Sequence, residues 1–291
     1  RAGEVSFAAR ETPAILKALE SYFGIDYPYR KLDFLAVPEF AFGAMENPGL
    51  VTYRTDLLMV GDAPTGRRAA SVLSVIAHEL AHQWYGNLVT MRWWDDMWLN
   101  ESFASWMGEK VMESLYPQYE TDLGLPQSYA FPTDELSTAK PVRRPVRSED
   151  EAFEDLGLAY TKGETILRML ESYAGPEAFQ VAIRDYMKRF SRSNATEHDL
   201  WSVVAEHADA DIGAIAARYL NQPGFPLVTV DAKGNVSQSR YHRLGRDLPA
   251  QQWIIPLSVK YKHDGVIKQT FTLLDKPTGA LDIPADAQWE L

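Results

Sequence analysis

The chain of 291 residues contains no cysteine. This absence excludes disulfide bonds, catalysis by a thiolate and any zinc site that is closed by cysteine ligands. Positive charge is also scarce, because 29 Lys and Arg residues are outnumbered by 40 Asp and Glu residues, which gives a formal net charge of −11. No basic stripe of the kind that binds nucleic acid is visible, so we expect no nucleic-acid partner.

Long apolar runs are missing as well. None approaches the roughly 20 residues that cross a membrane, so we expect a soluble chain without a membrane span. Hydrophobic residues make up 46% of the chain and charged residues 24%, as in ordinary globular proteins. The first residue is Arg1 rather than Met, and we therefore expect a chain that was processed or excerpted from a longer one. The composition indicates no particular compartment.

The chain does contain a His-Glu-x-x-His motif, formed by His78, Glu79 and His82, and Glu101 follows on a second helical segment. On a helix, positions 78 and 82 lie one turn apart on the same face, so their two imidazoles can hold one ion. Glu101 can complete a two-histidine, one-glutamate zinc site whose fourth position stays open for water. Glu79 lies beside the ligands and is free to act as a base.

The sequence around the motif supports a metal site. Residues 69–84 are apolar on most sides and predict a buried helix. Two imidazoles and a carboxylate in such a helix are costly unless they are paired or bound to a metal. A second helical pattern from about Trp98 to Leu115 places Glu101 in its first turn. The alternative, a pair of histidines satisfied within the core, fits these surroundings less well.

The remaining segments differ in pattern along the chain. We predict an amphipathic helix over 12–22, capped by Thr12 with Pro13 in its first turn, and strands over 31–37 and 50–53. Residues 125–147 are rich in proline and charge and are interpreted as a long ordered loop. Helical patterns return over 161–220, and alternating strands follow. These patterns predict an α+β protein with one domain over 1–221 and an incomplete β-sandwich-like domain over 222–291.

Several motifs occur together in an order that is typical of one family. They are Gly43-Ala44-Met45-Glu46-Asn47, the His-Glu-x-x-His motif with Glu101, the segment Tyr160-Thr161-Lys162-Gly163, and Asn221-Gln222-Pro223-Gly224-Phe225-Pro226. In this respect the chain resembles the aminopeptidase N family of zinc metallopeptidases, which includes the leukotriene hydrolase branch. The resemblance covers nearly the whole chain.

The resemblance implies a fold and a mechanism. The fold is a thermolysin-like zinc peptidase domain, with a small mixed sheet and then a mostly helical lobe, followed by the short all-β segment. One zinc ion is expected on His78, His82 and Glu101. Glu79 is expected to take a proton from the attacking water and pass it to the leaving amine. Tyr160 is expected to donate a hydrogen bond to the oxyanion.

The segment from Gly43 to Asn47 is expected to bind peptide substrates that have a free N-terminus. Glu46 would anchor the ammonium group, because a charge-assisted hydrogen bond stabilises it there. Gly43 and Ala44 are small enough for the substrate backbone to approach closely, and Met45 is expected to line the pocket for the first side chain. We also expect that flanking domains of the parent protein are missing from this chain.

Three alternatives stay open at this stage. A thermolysin-like endopeptidase shares the zinc motif but does not need Glu46. A bifunctional aminopeptidase and epoxide hydrolase is the second, although that branch usually has Gly-Gly-Met-Glu-Asn where this chain has Ala44. The third is an inactive binding or scaffold fragment that lacks the flanking domains, and the intact Glu79 counts against it.

Two further expectations concern the surroundings of the site. Metal-bound imidazoles are usually oriented by a hydrogen bond from the other ring nitrogen. Asp95, Asp96 and Asn100 are candidates for this role, and the sequence does not rank them. Four tryptophans are interpreted as core beneath the site: Trp93, Trp94, Trp98 and Trp106.

Overall fold

The computed structural model describes residues 2–119, 127–154, 156–231, 233–243, 249–284 and 286–290. The α-helices are α1 (Ser6–Phe23), α2 (Gly66–Ala81), α3 (Trp98–Leu115), α4 (Gln127–Asp134), α5 (Glu149–Phe153), α6 (Leu156–Ala174), α7 (Pro176–Arg189), α8 (Glu197–Ala205) and α9 (Ile212–Leu220). The strands are β1 (Asp33–Val37), β2 (Ala44–Met45), β3 (Leu50–Arg54), β4 (Val89–Met91), β5 (Ser193–Ala195), β6 (Pro226–Val230), β7 (Asn235–Arg240), β8 (Ile255–His263), β9 (Val266–Leu274), β10 (Thr278–Ala280) and β11 (Gln288–Glu290). This mixture confirms the predicted α+β class.

A small mixed sheet precedes most of the helices. Its strand order is β1-β3-β2, with β1 parallel and β2 antiparallel to β3. The two-residue strand β2 lies at one edge, where Ala44 pairs with Tyr53 and Met45 with Thr52. An edge strand has one row of backbone groups that no neighbouring strand uses. Strand β2 (Ala44–Met45) therefore presents backbone groups that pair with no described strand on the side away from β3.

Three helices meet at close range around α3. A Cβ atom added at Gly108 in α3 would lie 3.2 Å from the backbone nitrogen of His78 in α2. A Cβ atom added at Gly163 in α6 would lie 1.8 Å from the Oγ atom of Ser102 in α3. The approach at Gly163 leaves no room for a Cβ atom, and the approach at Gly108 is tight for one. Helix α3, which carries Glu101, is therefore held between the helix of the His-Glu-x-x-His motif and the helix of Tyr160.

The first helix begins earlier than the predicted start at Thr12. Helix α1 starts at Ser6, and Pro13 lies inside it. The Thr12 hydroxyl donates to the carbonyl of Ala8 at 2.7 Å, so it bonds back into the helix instead of capping it. The helix extends because Phe7 and Ala8 are buried in the core. Tertiary packing outweighs the signal of the proline.

The interpretation of 125–147 as a loop is wrong for one part of it. Residues 127–134 form α4, whereas residues 125 and 126 lie outside the described part. Phe131 in α4 stacks on Phe225, with ring centroids 4.3 Å apart. Asp134 at the end of α4 is buried. The helical region predicted from Thr161 also begins earlier, since α6 starts at Leu156.

The tryptophan prediction is correct for only two of its four residues. Trp98 and Trp106 in α3 are fully buried. Trp93 and Trp94, however, are 56% and 36% exposed. These two residues precede α3, so the packed inner face of that helix does not include them.

Strands replace helices after Asn221, which ends α9. They form two antiparallel sheets of three strands, with the orders β10-β7-β6 and β11-β8-β9. Trp253, Val259 and Leu274 are among the buried residues of this segment. The thermolysin-like lobe, the β-sandwich and the domain boundary at 221 and 222 stay predictions. Among the described helices, none has the length and apolar character needed to cross a membrane.

Candidate active site

Three donor atoms from two helices converge on one point. The Nε2 atoms of His78 and His82 lie 2.9 Å apart. The Oε2 atom of Glu101 lies 3.4 Å from Nε2 of His78 and 3.5 Å from Nε2 of His82. His78 lies in the last turn of α2, and His82 follows one turn later, directly after the end of that helix. Glu101 projects from the first turn of α3. The structure thus brings together all three residues that the sequence proposes as metal ligands.

This triangle fits a zinc ion. Donors about 2.0–2.2 Å from zinc at tetrahedral angles lie roughly 3.4 Å from one another. The two distances to Glu101, 3.4 and 3.5 Å, match this spacing, and the 2.9 Å between the two Nε2 atoms is shorter. The Oε2 atom of Glu101 is buried and has no hydrogen-bond partner among the described residues. The Nδ1 atom of His82 contacts two acceptors, the carbonyl of Tyr85 at 3.1 Å and Oδ1 of Asn100 at 3.0 Å. In the neutral imidazole Nδ1 therefore carries the hydrogen, which leaves the lone pair of Nε2 directed into the triangle.

The charges around the triangle favour a cation. Burial lowers the pKa of His82, but the carboxylates of Glu46 and Glu101 outweigh it and raise that pKa to about 10. Burial acts to raise the pKa of Glu101, yet the imidazoles of His82 and His78 hold it well below its usual range. Burial lowers the pKa of His78, and the neighbouring His82 lowers it further. A divalent ion at the centre would satisfy the same carboxylates that otherwise hold a proton on His82.

Glu79 lies beside the triangle without belonging to it. Glu79 is 5% exposed, and its Oε2 atom has no hydrogen-bond partner in the described part of the chain. Burial raises the pKa of Glu79 to about 8, although the nearby His82 acts in the opposite direction. Glu79 also lines the cavity. A carboxyl group in this position can gain and lose a proton near neutral pH.

Asn100 connects the triangle to Glu46. Its Oδ1 atom accepts from Nδ1 of His82 at 3.0 Å, and its Nδ2 donates to Oε1 of Glu46 at 3.0 Å. Gly86 is required for this contact, because it has φ +105° and a Cβ atom there would lie 1.7 Å from Oδ1 of Asn100. One amide therefore fixes the imidazole of His82 and the carboxylate of Glu46 relative to each other.

The other two candidates for orienting the imidazoles lie elsewhere. Asp95 accepts from the backbone N–H of Val146 at 2.7 Å. Asp96 is buried and pairs with Nε of Arg143 at 2.6 Å. Both carboxylates hold the segment that follows α4, so Asn100 is the one of the three that contacts an imidazole.

The segment from Gly43 to Asn47 lies along the cavity. Gly43, Ala44, Met45 and Glu46 line it, whereas Asn47 is not among the lining residues. The side chain of Asn47 turns back to Oγ1 of Thr52 at 3.4 Å. Asn47 therefore braces the turn beside the cavity.

The segment that follows α2 fixes the backbone of Glu46. Gln83 donates to the carbonyl of Glu46 at 3.0 Å, and Asn87 donates to the same oxygen at 2.7 Å. Sequence reasoning missed both residues. Gln83 lies four residues after Glu79 and thus on the same face of the helix, which is the one signal that could have identified it.

Tyr160 faces the triangle from α6. The centroid of its ring lies 5.6 Å from that of His78, with the planes inclined by 31°. Burial raises the pKa of its phenol well above the usual range, and the carboxylate of Glu101 raises it further. The hydroxyl group therefore stays protonated and can donate a hydrogen bond.

The cavity between these elements has a volume of about 360 Å³. Ser74 adds one hydroxyl to the polar groups already described, and the other walls are mostly apolar. Phe42 and Phe153 both line the cavity and stack on each other with centroids 5.9 Å apart. The apolar lining consists of Phe42, Met45, Val75, Met97, Phe153 and Leu156.

A second group of potential ligands lies far from this cavity in sequence. Asp185, Glu206 and His207 cluster at the surface. Arg189 already pairs with both carboxylates, at 2.5 Å from Asp185 and 2.6 Å from Glu206. The cluster is best described as an ion-pair network that joins α7 to the end of α8.

The site has two imidazoles and a carboxylate around one ion position, and a free glutamate next to the first imidazole. This is the arrangement of a His-Glu-x-x-His metallopeptidase. Comparison with known proteins agrees with this class. The model of the peptidase family M1 domain matches residues 7–219. The chain belongs to peptidase family M1, whose members are zinc-dependent hydrolases that act on peptides.

Several relatives are similar over most of this chain. A leucyl aminopeptidase of Saccharolobus solfataricus is 39% identical over 278 residues, which are 92% of this chain and 34% of that protein. Aminopeptidase M1 of Arabidopsis thaliana is 36% identical over 296 residues, 97% of this chain and 33% of that protein. Aminopeptidase 2 of Candida albicans is 39% identical over 248 residues, 82% of this chain and 27% of that protein. The chain spans about a third of the length of the curated relatives it matches.

Proposed function

We propose that this chain is the catalytic domain of a zinc aminopeptidase that removes the N-terminal residue from peptides. The observation that carries the proposal is the position of Glu46. Its carboxylate lies in the same cavity as His78, His82 and Glu101, and Asn100 ties it to His82. A carboxylate fixed beside the reaction centre selects substrates by their ammonium group.

His78, His82 and Glu101 would hold the zinc ion. When bound there, zinc makes water more acidic and polarises the peptide carbonyl. The remaining chemistry depends on two side chains of the cavity. Glu79 accepts a proton from the attacking water and returns it to the leaving amine, a role that suits a carboxyl group with a pKa near 8.

Tyr160 supports the reaction from the other side of the cavity. As the carbonyl carbon becomes tetrahedral, its oxygen gains negative charge, and the phenol donates a hydrogen bond to that oxygen. The raised pKa of Tyr160 keeps this donor protonated throughout the neutral range. The site is largely buried, so such a bond contributes more than it would in water.

Recognition of the substrate follows from the remaining walls. Glu46 binds the free amine, and the edge of β2 at Gly43 and Ala44 lies open to the substrate backbone. The apolar lining formed by Met45 and the stacked Phe42 and Phe153 favours an apolar first side chain. An internal peptide segment offers no ammonium group and would leave the carboxylate of Glu46 unpaired.

We predict that Glu46→Ala lowers kcat/KM for a free-amine peptide by roughly 10- to 150-fold, the loss expected for one charge-assisted hydrogen bond. The measurement compares a peptide with its N-acetylated twin, first on the unaltered protein and then on the variant. Glu177→Ala, an exposed glutamate of α7, is the matched control and should leave the rate unchanged.

Two outcomes would contradict this account of recognition. Equal cleavage of the two peptides by the unaltered protein would favour an endopeptidase. Undiminished activity of Glu46→Ala would remove the anchor from Glu46. If zinc-loaded protein does not hydrolyse an amino-acid anilide at all, a binding fragment becomes the better interpretation.

A further inference from the structure

A buried ion pair lies two residues beyond Tyr160. Lys162 is 6% exposed and Asp134 is 1% exposed, and Nζ of Lys162 lies 2.9 Å from Oδ2 of Asp134. The same Nζ donates to the carbonyl of Gly224 at 3.0 Å and to that of Gln222 at 3.4 Å. An ammonium group has three N–H donors, so its hydrogen-bonding capacity is fully used.

The pair also holds the segment that follows α9. The second carboxylate oxygen of Asp134, Oδ1, accepts from the backbone N–H of Gly224 at 2.7 Å. Gly224 has φ +82° and lies so close to Arg240 that a Cβ atom would be 2.7 Å from its Nε atom. The ion pair therefore joins three parts of the chain: the end of α4, the second turn of α6 and the first residues after α9.

Stability alone explains this arrangement poorly. Taking two charges out of water is costly, and proteins with well-packed apolar residues in their place are often no less stable. What the pair adds is geometric definition, because one ammonium group must meet three acceptors at once. The pair therefore restricts the rotation of α6 about its axis.

Tyr160 lies between this pair and a second fixed contact. On the side of α3, Ser102 donates to the carbonyl of Ala159 at 2.6 Å and packs against Gly163. On the side of α4, Lys162 is held as described. The side chain of Tyr160 projects outward from the axis of α6. A small rotation of α6 about that axis would therefore move the phenol away from the site. Tyr160 is also near the beginning of α6, where helices fray most readily.

We propose that Lys162 is a positioning residue: through its ion pair with Asp134 and the carbonyls of Gln222 and Gly224, it sets the orientation of Tyr160 in the active site. This inference depends on the proposed role of Tyr160 in the reaction. It assigns to the segment after α9 and to α4 an indirect part in turnover, although neither contributes a residue to the lining of the cavity.

The test is a double-mutant cycle in the full-length protein. Lys162→Met combined with Asp134→Asn removes the charge pair without leaving a lone buried carboxylate, and Asn keeps the acceptor for Gly224. This double change is made once with Tyr160 present and once together with Tyr160→Phe. We expect kcat to fall on the order of tenfold to a hundredfold when Tyr160 is present, with KM changed by less than about threefold.

The informative result is the comparison within the cycle. If Lys162 acts through Tyr160, the same double change should lower kcat by less than about twofold once Tyr160→Phe is in place, because the positioned group is already lost. Equal losses with and without the tyrosine hydroxyl would show a merely structural role and overturn the proposal. No loss of kcat with Tyr160 present would overturn it as well.

A second ion pair on the same helix supplies the control. Lys110 in α3 pairs with Glu171 of α6 at 2.6 Å, and Glu171 lies eleven residues beyond Tyr160. Lys110→Met combined with Glu171→Gln should lower the unfolding temperature. Its effect on kcat should be the same whether residue 160 is tyrosine or phenylalanine. Thermal unfolding of every variant then separates a loss of stability from a loss of positioning.

Two further outcomes, a double variant that does not fold and a Tyr160→Phe variant with unchanged kcat, also have a defined interpretation. If the Lys162 and Asp134 double variant does not fold, Asp134→Asn alone enters the same cycle, since it keeps the shape and removes one charge. A non-additive loss of kcat then supports the proposal and an additive one overturns it. If Tyr160→Phe by itself leaves kcat unchanged, the proposed role of Tyr160 fails and this inference fails with it. If Tyr160→Phe lowers kcat as expected but the cycle is additive, only the positioning role of Lys162 is refuted.

Discussion

Glu79→Gln should reduce kcat by about a thousandfold and leave one zinc ion bound per chain. The side chain lies in the cavity but outside the triangle of donor atoms, so the metal ligands stay in place. Glutamine has nearly the same shape as glutamate but cannot accept the proton of the attacking water. The measurement is kcat on a free-amine peptide, together with zinc content determined by elemental analysis.

The stability of this variant provides a control. Burial raises the pKa of Glu79 to about 8, so the charged form is disfavoured in the folded protein relative to the unfolded chain. This cost to the folded state is present at pH 7, because pH 7 lies above the pKa of a glutamate in the unfolded chain. A neutral amide removes the cost. For the zinc-free proteins we therefore expect an unfolding temperature of the variant no lower than that of the unaltered protein. Turnover retained by this variant would refute the assignment of Glu79 as the base.

Tyr160→Phe should lower kcat by roughly a hundredfold and change KM little, since one oxyanion donor contributes about 3 kcal/mol to the transition state. The substitution keeps the ring that packs 5.6 Å from that of His78 and removes the hydroxyl alone. The measurement is a full kcat and KM determination on the same peptide.

A tyrosine outside the cavity serves as the comparison for this change. Tyr186 in α7 is buried and does not line the site. Tyr186→Phe should leave kcat within about twofold of the unaltered value while testing the cost of removing the hydroxyl from a buried tyrosine. An unchanged kcat in Tyr160→Phe, or an equal fall in both variants, would exclude the phenol from the mechanism.

The sequence is most informative where residue type and helical spacing act together. The predicted helix from Trp98 to Leu115 is confirmed at both ends. The spacing of His78 and His82 places two imidazoles on one face of α2, and the structure brings Glu101 to within 3.5 Å of both. Helical geometry with a fixed period allows such a prediction without knowledge of the tertiary fold.

Features that depend on packing are harder to predict. The start of α1 at Ser6 follows from the burial of Phe7, and α4 is held by the stacking of Phe131 on the distant Phe225. The exposure of Trp93 and Trp94 could not be read from their apolar character. Residue type supplies a propensity, and the tertiary environment decides whether it prevails.

The polar network around the site belongs to the same category. Asp95, Asp96 and Asn100 are equal candidates in the sequence, but only the folded chain places Asn100 between His82 and Glu46. Gln83 and Asn87, which hold the backbone of Glu46, are separated from it by 37 and 41 residues. Contacts over such distances leave no local periodic pattern in the chain.

The central claim is that His78, His82 and Glu101 hold one zinc ion. An anomalous difference map, recorded above and below the zinc absorption edge from crystals of active protein, tests it most directly. The account predicts one strong peak per chain, about 2.0–2.2 Å from Nε2 of His78, Nε2 of His82 and a carboxylate oxygen of Glu101. A peak bound by other residues, or no peak between these three in protein that still hydrolyses peptides, would contradict it.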